Sequence, residues 1–194
     1  MMIVIPAKRG SKRLPEKNFI PFFLGESLVD LAVKQALAIL FPTETKVVVS
    51  TEAPGYTPPA GVTCVVHSPD LCQSTESTWN AVEHACYTMG YFGTVMVLQP
   101  TSPLRSLDDI RACLRLLGET SQNVTSTHKG NYPNGAVYIR HWKRWHDVGI
   151  IYHMPWHRSC DIDTGADFEI AKSIFEERRN KQADAYVKAV VHSP

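Results

Sequence analysis

Residues 3–18 have the sequence IVIPAKRGSKRLPEKN, in which a short apolar run leads directly into a basic turn. An unbroken apolar run such as residues 3–6 is typical of a strand buried on both faces of a parallel sheet. Residues 7–17 then hold five cations and one acid, a local charge of four. Such a turn after a buried strand suits a polyphosphate held by ammonium groups and backbone amides, with Gly10 allowing close approach. A solvated cationic loop is the competing interpretation.

Short apolar runs rich in β-branched residues alternate with longer amphipathic stretches along the rest of the chain, which predicts an α/β fold. The predicted strands are residues 3–6, 46–50, 63–67, 94–98, 123–127, 136–140 and 150–154. The predicted helices are residues 27–40, 77–89, 107–117 and 164–178, the last with Thr164 as N-cap. A mostly parallel sheet with helices on both faces binds ligands at the carboxyl ends of its strands. Residues 180–194 are charged and then apolar, and we interpret them as an edge strand or an interface arm.

Length and composition indicate one ordinary globular domain over residues 1–194. The formal net charge of +1 disfavours a general nucleic-acid or anionic-membrane surface. No apolar run approaches the roughly 18 residues of a membrane span, and the N-terminal run is too short for a signal peptide. Five cysteines without a C-x-x-C pair fit a reducing compartment, so we expect a cytoplasmic protein.

Two acids lie close together near the other end of the chain, in Asp161-Ile162-Asp163-Thr164. If these residues are extended, both carboxylates project from one side and can hold a hard cation such as Mg²⁺. Alternatively, Asp161 and Asp163 only cap the helix that follows.

The turn Gln99-Pro100-Thr101-Ser102-Pro103-Leu104-Arg105 follows the central predicted strand and carries an amide and two hydroxyls to the expected binding edge. It also reads as a purely structural connection. The basic turn is neither a G-x-x-x-x-G-K-[ST] loop nor a G-x-G-x-x-G turn, and no G-x-S-x-G nucleophile elbow is present. A covalent enzyme intermediate is therefore not expected.

Four stretches in this order resemble the acylneuraminate cytidylyltransferase (CMP-sialic acid synthetase) family. They are IPAKRGSKRLPEKN (5–18), LQPTSPLR (98–105), NGAVYI (134–139) and DIDT (161–164). The resemblance implies a three-layer α/β/α Rossmann-like nucleotidyltransferase with a mostly parallel, mixed sheet. It also implies the reaction, in which a hydroxyl of a 2-keto-3-deoxy sugar acid attacks the α-phosphorus of CTP and pyrophosphate leaves, with Mg²⁺ as cofactor.

The resemblance assigns roles by position. The implied nucleotide-binding residues are Lys8, Arg9, Gly10, Ser11, Lys12, Lys17, Asn18, Ser74 and Thr78. The implied sugar-binding residues are Gln99, Thr101, Ser102 and Arg158. Asp161 and Asp163 would bind the metal, and together with Lys12 they form the implied catalytic set.

The chain departs from the family pattern at several positions. Lys8 stands where relatives carry Arg, Ser74 where they commonly carry Asp, and His67 where some carry Arg. The long family excursion that supplies sugar contacts and a homodimer interface shrinks here to residues 128–133. These departures leave two alternatives: a non-catalytic nucleotide- or partner-binding relative, and a nucleotidyltransferase for another base or sugar. The shortened segment is compatible with a monomer or with another interface.

Overall fold

The computed structural model describes residues 1–39, 45–72, 77–128, 131–147 and 149–191. Within these ranges the main sheet has seven strands, and a small hairpin stands beside it. The sheet strands are β1 (Met2–Pro6), β4 (Lys46–Thr51), β5 (Val62–Val66), β6 (Thr94–Val97), β7 (Val124–Thr127), β8 (Pro133–His141) and β9 (Ile150–His153). The hairpin pairs β2 (Pro21–Phe23) with β3 (Glu26–Ser27).

The strand order in the sheet is β5-β4-β1-β6-β8-β7-β9. The pairs β1/β4, β1/β6, β4/β5 and β7/β9 are parallel, whereas β8 is antiparallel to both of its neighbours. The sheet is therefore mixed but mostly parallel, as predicted. The strands that run in the common direction end at one edge, and β8 begins there.

Helices cover both faces of this sheet. The helices are α1 (Leu28–Ala38), α2 (Ser77–Thr88), α3 (Leu107–Thr120) and α4 (Gly165–Val191), and there are three short 3₁₀ turns. Alternate residues of the central strands point to opposite faces, so Ile3 and Ile5 pack with α1 and α3, while Met2 and Val4 pack with α2. This arrangement is the predicted three-layer fold.

The N-termini of α1 and α3 are fixed by capping boxes. The Ser27 hydroxyl accepts a hydrogen bond from the Asp30 backbone N–H, and the Ser27 backbone N–H donates in return to the Asp30 carboxylate. Ser106 and Asp109 repeat the pattern. Thr164 caps α4 in the same manner with Asp167, as predicted.

The C-terminal stretch differs from the prediction. Over its described part it is not an edge strand, because α4 continues to Val191, whereas the interpretation as an interface arm stays a prediction. No Gly or Pro occurs between Gly165 and Pro194, so the helix is not interrupted. Its first half packs Phe168, Ala171 and Phe175 against the β2/β3 hairpin and α1. None of the helices in the described part of the chain is long and apolar enough to span a bilayer.

Candidate active site

A cleft of about 560 Å³ opens at the carboxyl edge of the sheet. The loops after β1 and β6, the start of α2 and the segment before α4 all contribute to it. Ten of the residues predicted from sequence line this cleft: Lys8, Ser11, Lys12, Lys17, Asn18, Thr78, Gln99, Thr101, Asp161 and Asp163. Residues near the two ends of the described chain thus share one concave surface.

Direct ion pairs join the basic turn to the acidic pair. Lys17 Nζ lies 3.3 Å from Asp163 Oδ1 and donates to the carbonyl oxygen of Ile162 at 2.5 Å. Arg13, which was not among the predicted site residues, lies 2.7 Å from Asp163 Oδ2 and also lines the cleft. These contacts fix the turn against the segment before α4.

Glu52, at the end of β4, shapes the basic turn. Its Oε1 accepts hydrogen bonds from the backbone amides of Arg9, at 2.7 Å, and Gly10, at 2.8 Å. The Arg9 side chain pairs with Glu16 at 2.8 Å. Arg9 and Gly10, two predicted nucleotide-binding residues, do not line the cleft, and their backbone amides are bound to this carboxylate.

Asn18 lies at the inner end of the turn and is almost fully buried. Its Nδ2 donates to the carbonyl oxygen of Lys8 at 2.7 Å, which holds the start of the turn. Its Oδ1 is buried without a hydrogen-bond partner among the described residues. An acceptor in this state is suited to a donor supplied by a ligand.

Asp161 is exposed at the cleft surface. Loss of hydration between the cleft walls is the main reason why the pKa of its carboxyl lies above the ordinary value. Asp163 raises this pKa further, whereas a hydrogen bond from Thr101 and the charge of Lys17 act against the rise. The helix cap comes from Thr164 and Asp167, so capping does not account for Asp161 or Asp163. The described residues include no cluster of three or more metal-binding side chains.

The turn after β6 is fixed by contacts with Arg105 and with the Gly135 region of β8. Arg105 donates to the carbonyl oxygens of Gln99, at 2.6 Å, and Ala136, at 3.1 Å. Gly135 has φ +75°, and a Cβ built there would lie 2.7 Å from Gln99 Oε1. Glycine at this position thus leaves room for the Gln99 amide.

Two other predicted residues in the described part of the chain do not line the cleft. Ser102 is fully buried and donates to the carbonyl oxygen of Asn134 at 3.2 Å. Arg158 instead forms a two-pronged pair with buried Asp109 on α3, at 2.9 and 2.8 Å. Its guanidinium therefore binds a buried carboxylate and does not reach the cleft. Ser74 lies outside the described residues.

Asp109 is the centre of that interior network. Tyr152 donates to its Oδ1 at 2.9 Å, and Ser106 to its Oδ2 at 2.8 Å. Burial acts to raise the pKa of Asp109, but the hydrogen bonds from Arg158, Ser106 and Tyr152 outweigh it, and the pKa lies below its ordinary value. The carboxylate is therefore charged at neutral pH.

Charge in the cleft favours a polyanion accompanied by a cation. The cations Lys8, Lys12, Arg13 and Lys17 line the cleft together with Asp161 and Asp163. Ammonium and guanidinium groups bind phosphate oxygens, and carboxylate oxygens bind divalent cations. A polar cleft at the carboxyl edge of a mostly parallel α/β sheet is typical of nucleotide-binding proteins, and comparison with known proteins narrows the class.

The chain belongs to the cytidylyltransferase family, which matches residues 2–141. It is 25% identical to the N-acylneuraminate cytidylyltransferase of Escherichia coli, covering 96% of this chain but 54% of that protein. It is 25% identical to the pseudaminic acid cytidylyltransferase of Campylobacter jejuni, covering 90% of this chain and 96% of that protein. The chain thus spans about half the length of the first relative and nearly all of the second.

Solved structures share the fold. The structure of CMP:2-keto-3-deoxy-manno-octonic acid synthetase complexed with CTP aligns with a TM-score of 0.63 at 16% identity, covering 91% of this chain and 98% of that one. A cytidylyltransferase from Leptospira borgpetersenii aligns with a TM-score of 0.59 at 19% identity, covering 88% and 84%. The predicted family and fold are both confirmed.

Proposed function

We propose that this protein transfers CMP from CTP to a hydroxyl of a 2-keto-3-deoxy sugar acid and releases pyrophosphate. The observation that carries the proposal is the joining of the basic turn and the acidic pair in one cleft, through Lys17 and Asp163. Family membership and the names of the relatives, which are cytidylyltransferases of sugar acids, support the choice of CTP and of a sugar acid.

In this proposal the basic turn holds the triphosphate. Lys8, Lys12 and Lys17 supply ammonium donors, Ser11 a hydroxyl, and Asn18 a buried acceptor for a donor of the nucleotide. Thr78 lies on the first turn of α2, on the same lining. These groups counter the negative charge that repels an incoming nucleophile and that grows on the leaving pyrophosphate.

Asp161 and Asp163 are suited to Mg²⁺, because both carboxylates line the cleft. Asp163 also pairs with Arg13 and Lys17, so Mg²⁺ would share or displace these pairs. Mg²⁺ binds through one or two carboxylates and completes its shell with substrate phosphates and water, so a two-carboxylate site is sufficient. When bound, the ion would neutralise charge on the transferring phosphoryl group.

The acceptor is placed by Gln99 and Thr101 in the proposed arrangement. Arg105 fixes the Gln99 backbone, and Gly135 leaves space for its side chain. The acceptor oxygen forms a bond to the α-phosphorus, the bond from that phosphorus to the β-phosphate bridging oxygen breaks, and the hydroxyl proton passes to solvent. In-line attack needs no enzyme nucleophile.

The test is pyrophosphate release from each of the four nucleoside triphosphates, with sialic, octulosonic and related acids as acceptors and with Mg²⁺ varied. We expect release with CTP and one class of sugar acid, dependent on both acceptor and Mg²⁺. Release from another triphosphate would change the assigned base. No release from any pair, together with retained CTP binding, would refute the enzymatic proposal and favour a binding protein.

A further inference from the structure

A second cavity, of about 650 Å³, lies between α1, α3, α4 and the β2/β3 hairpin. The turn after β6 separates it from the cleft, since Gln99 and Thr101 line the cleft whereas Leu104 and Arg105 line the cavity. Phe23, Leu31 and Phe175 give it an apolar wall. Neither the family resemblance nor the proposed function uses this space.

Cations outnumber carboxylates around the cavity. Two of its cations are paired, Lys34 with Glu26 and Arg111 with Asp108. Three further lining cations have no carboxylate partner among the described residues: Arg105, Arg178 and Arg179. A cluster of unbalanced guanidinium groups in a half-buried space favours an anion.

Arg105 carries the strongest argument. It is 3% exposed, and although its NH1 donates to two carbonyl oxygens, its Nε and NH2 have no hydrogen-bond partner within the described structure. Burial lowers the pKa of Arg105 to about 9, and the charge of Asp109 opposes this shift. A buried, incompletely bonded guanidinium is rare in folded proteins.

Asp109, the one buried carboxylate among the residues that the structure describes, does not balance these charges. Both oxygens of Asp109 are already bound by Arg158. Arg178 donates only to backbone, to the carbonyl oxygens of Leu104 at 3.0 Å and His157 at 2.6 Å. A ligand with an anionic group would supply the missing negative charge, and the apolar wall would take a hydrocarbon body.

We propose that this cavity binds one amphiphilic anion, a carboxylate or phosphate monoester on an apolar chain. The head group lies toward Arg178 and Arg179 with Arg105 behind them, and the chain lies along Phe23, Leu31 and Phe175. The proposal does not depend on the reaction in the cleft, and each can fail without the other.

Isothermal titration calorimetry of the full chain tests the proposal with octanoate and octyl phosphate. We expect both to bind with one-to-one stoichiometry. Two control ligands should each bind at least tenfold more weakly: 1-octanol, which has the chain without the charge, and inorganic phosphate, which has the charge without the chain. Equal binding of 1-octanol would overturn the assignment of an anion site, and absence of binding by both anionic probes would overturn the site itself.

Variants at the exposed rim locate the binding without disturbing the core. Arg179→Glu should weaken octanoate binding at least tenfold, whereas Arg115→Glu, an exposed arginine of α3 outside the cavity, should not change it. Leu24→Asp should weaken it as well, with Ile170→Asp as the exposed control. Unchanged binding in both Arg179→Glu and Leu24→Asp would refute the location.

Two further experiments test whether the binding measured by calorimetry comes from the cleft or from a membrane-binding surface. Lys12→Ala alters the cleft, so octyl phosphate binding that disappears in this variant would show that the phosphate enters the cleft and would contradict the proposal. Sedimentation with phosphatidylserine vesicles should recover little protein, because the cavity is recessed between helices and takes a single molecule. Strong sedimentation without octanoate binding would contradict the proposal in favour of a membrane surface.

Discussion

Gly135→Ala tests how the N-G-A motif shapes the acceptor side of the cleft. The residue has φ +75°, and an added Cβ would lie 2.7 Å from Gln99 Oε1 and 3.3 Å from Gln99 Cδ. The left-handed backbone costs a non-glycine residue about 1–2 kcal/mol. The clash falls on the far end of a flexible side chain, so the Gln99 amide swings away and adds little to that cost.

We therefore expect a modest loss of stability and a larger loss of function. A loss of about 1–2 kcal/mol lowers Tm by roughly 2–8 °C in a chain of this size. Displacing a positioning group by about 1 Å can cost on the order of a hundredfold in rate. Thermal unfolding and steady-state pyrophosphate release, with KM measured separately for CTP and for the acceptor, give both quantities. The KM for CTP should stay near its wild-type value.

Gly61→Ala is the matched control. Gly61 has φ +83°, and an added Cβ would meet nothing within 4 Å. It should lose the same stability as Gly135→Ala but keep the wild-type rate and acceptor KM. If the two variants have equal activity as well as equal Tm, the proposed link between Gly135 and Gln99 is refuted.

Three other perturbations have defined outcomes. Lys12→Ala should weaken CTP binding, measured by calorimetry, about tenfold to a hundredfold, which is the loss expected for a charged hydrogen bond. Lys46→Ala, at the opposite edge of the sheet, should leave the affinity for CTP unchanged. Equal affinities of the two variants for CTP would count against the basic turn as the phosphate site. Asp161→Asn and Asp163→Asn should each lower turnover by orders of magnitude with Tm little changed, and near-normal turnover in both would remove the metal assignment. The folded-state pKa of Asp109 lies below its unfolded value, so its stabilisation is present above about pH 4 and is lost as pH falls through the folded pKa. Asp109→Asn should cost about 3–5 kcal/mol at pH 7 and flatten the acid side of the Tm profile, and an unchanged profile would contradict this account.

Local patterns were sufficient to predict most of the fold. Each predicted run became a strand of the main sheet, because β-branched and other apolar side chains pack well on both faces of a buried sheet. The β2/β3 hairpin was missed, since strands of three and two residues carry almost no periodic signal. The continuation of α4 to Val191 was missed because residues 180–191 have a poor apolar period, although they contain no helix-breaking residue.

The lining of the cleft was predictable where several of its residues belong to one sequence motif. Individual contacts were less predictable where the partner comes from a distant segment. The basic turn and the acidic pair both line the cleft, and their contact follows from the parallel sheet order. The partner of Arg158 is 49 residues away, and that of the Arg9 amide is 43 residues away. Nothing in the local sequence around Arg158 or Glu52 identifies those partners, because packing between α3 and β9 and between β1 and β4 determines them.

A crystal structure with CTP and Mn²⁺, an anomalous scatterer that replaces Mg²⁺, tests the central claim most directly. We predict the triphosphate along Lys8, Lys12 and Lys17, and the anomalous peak within coordination distance of both the Asp161 or Asp163 carboxylate and a phosphate oxygen. A triphosphate bound away from the basic turn, or a metal ion far from both aspartates, would contradict the claim that these two regions act on one nucleotide.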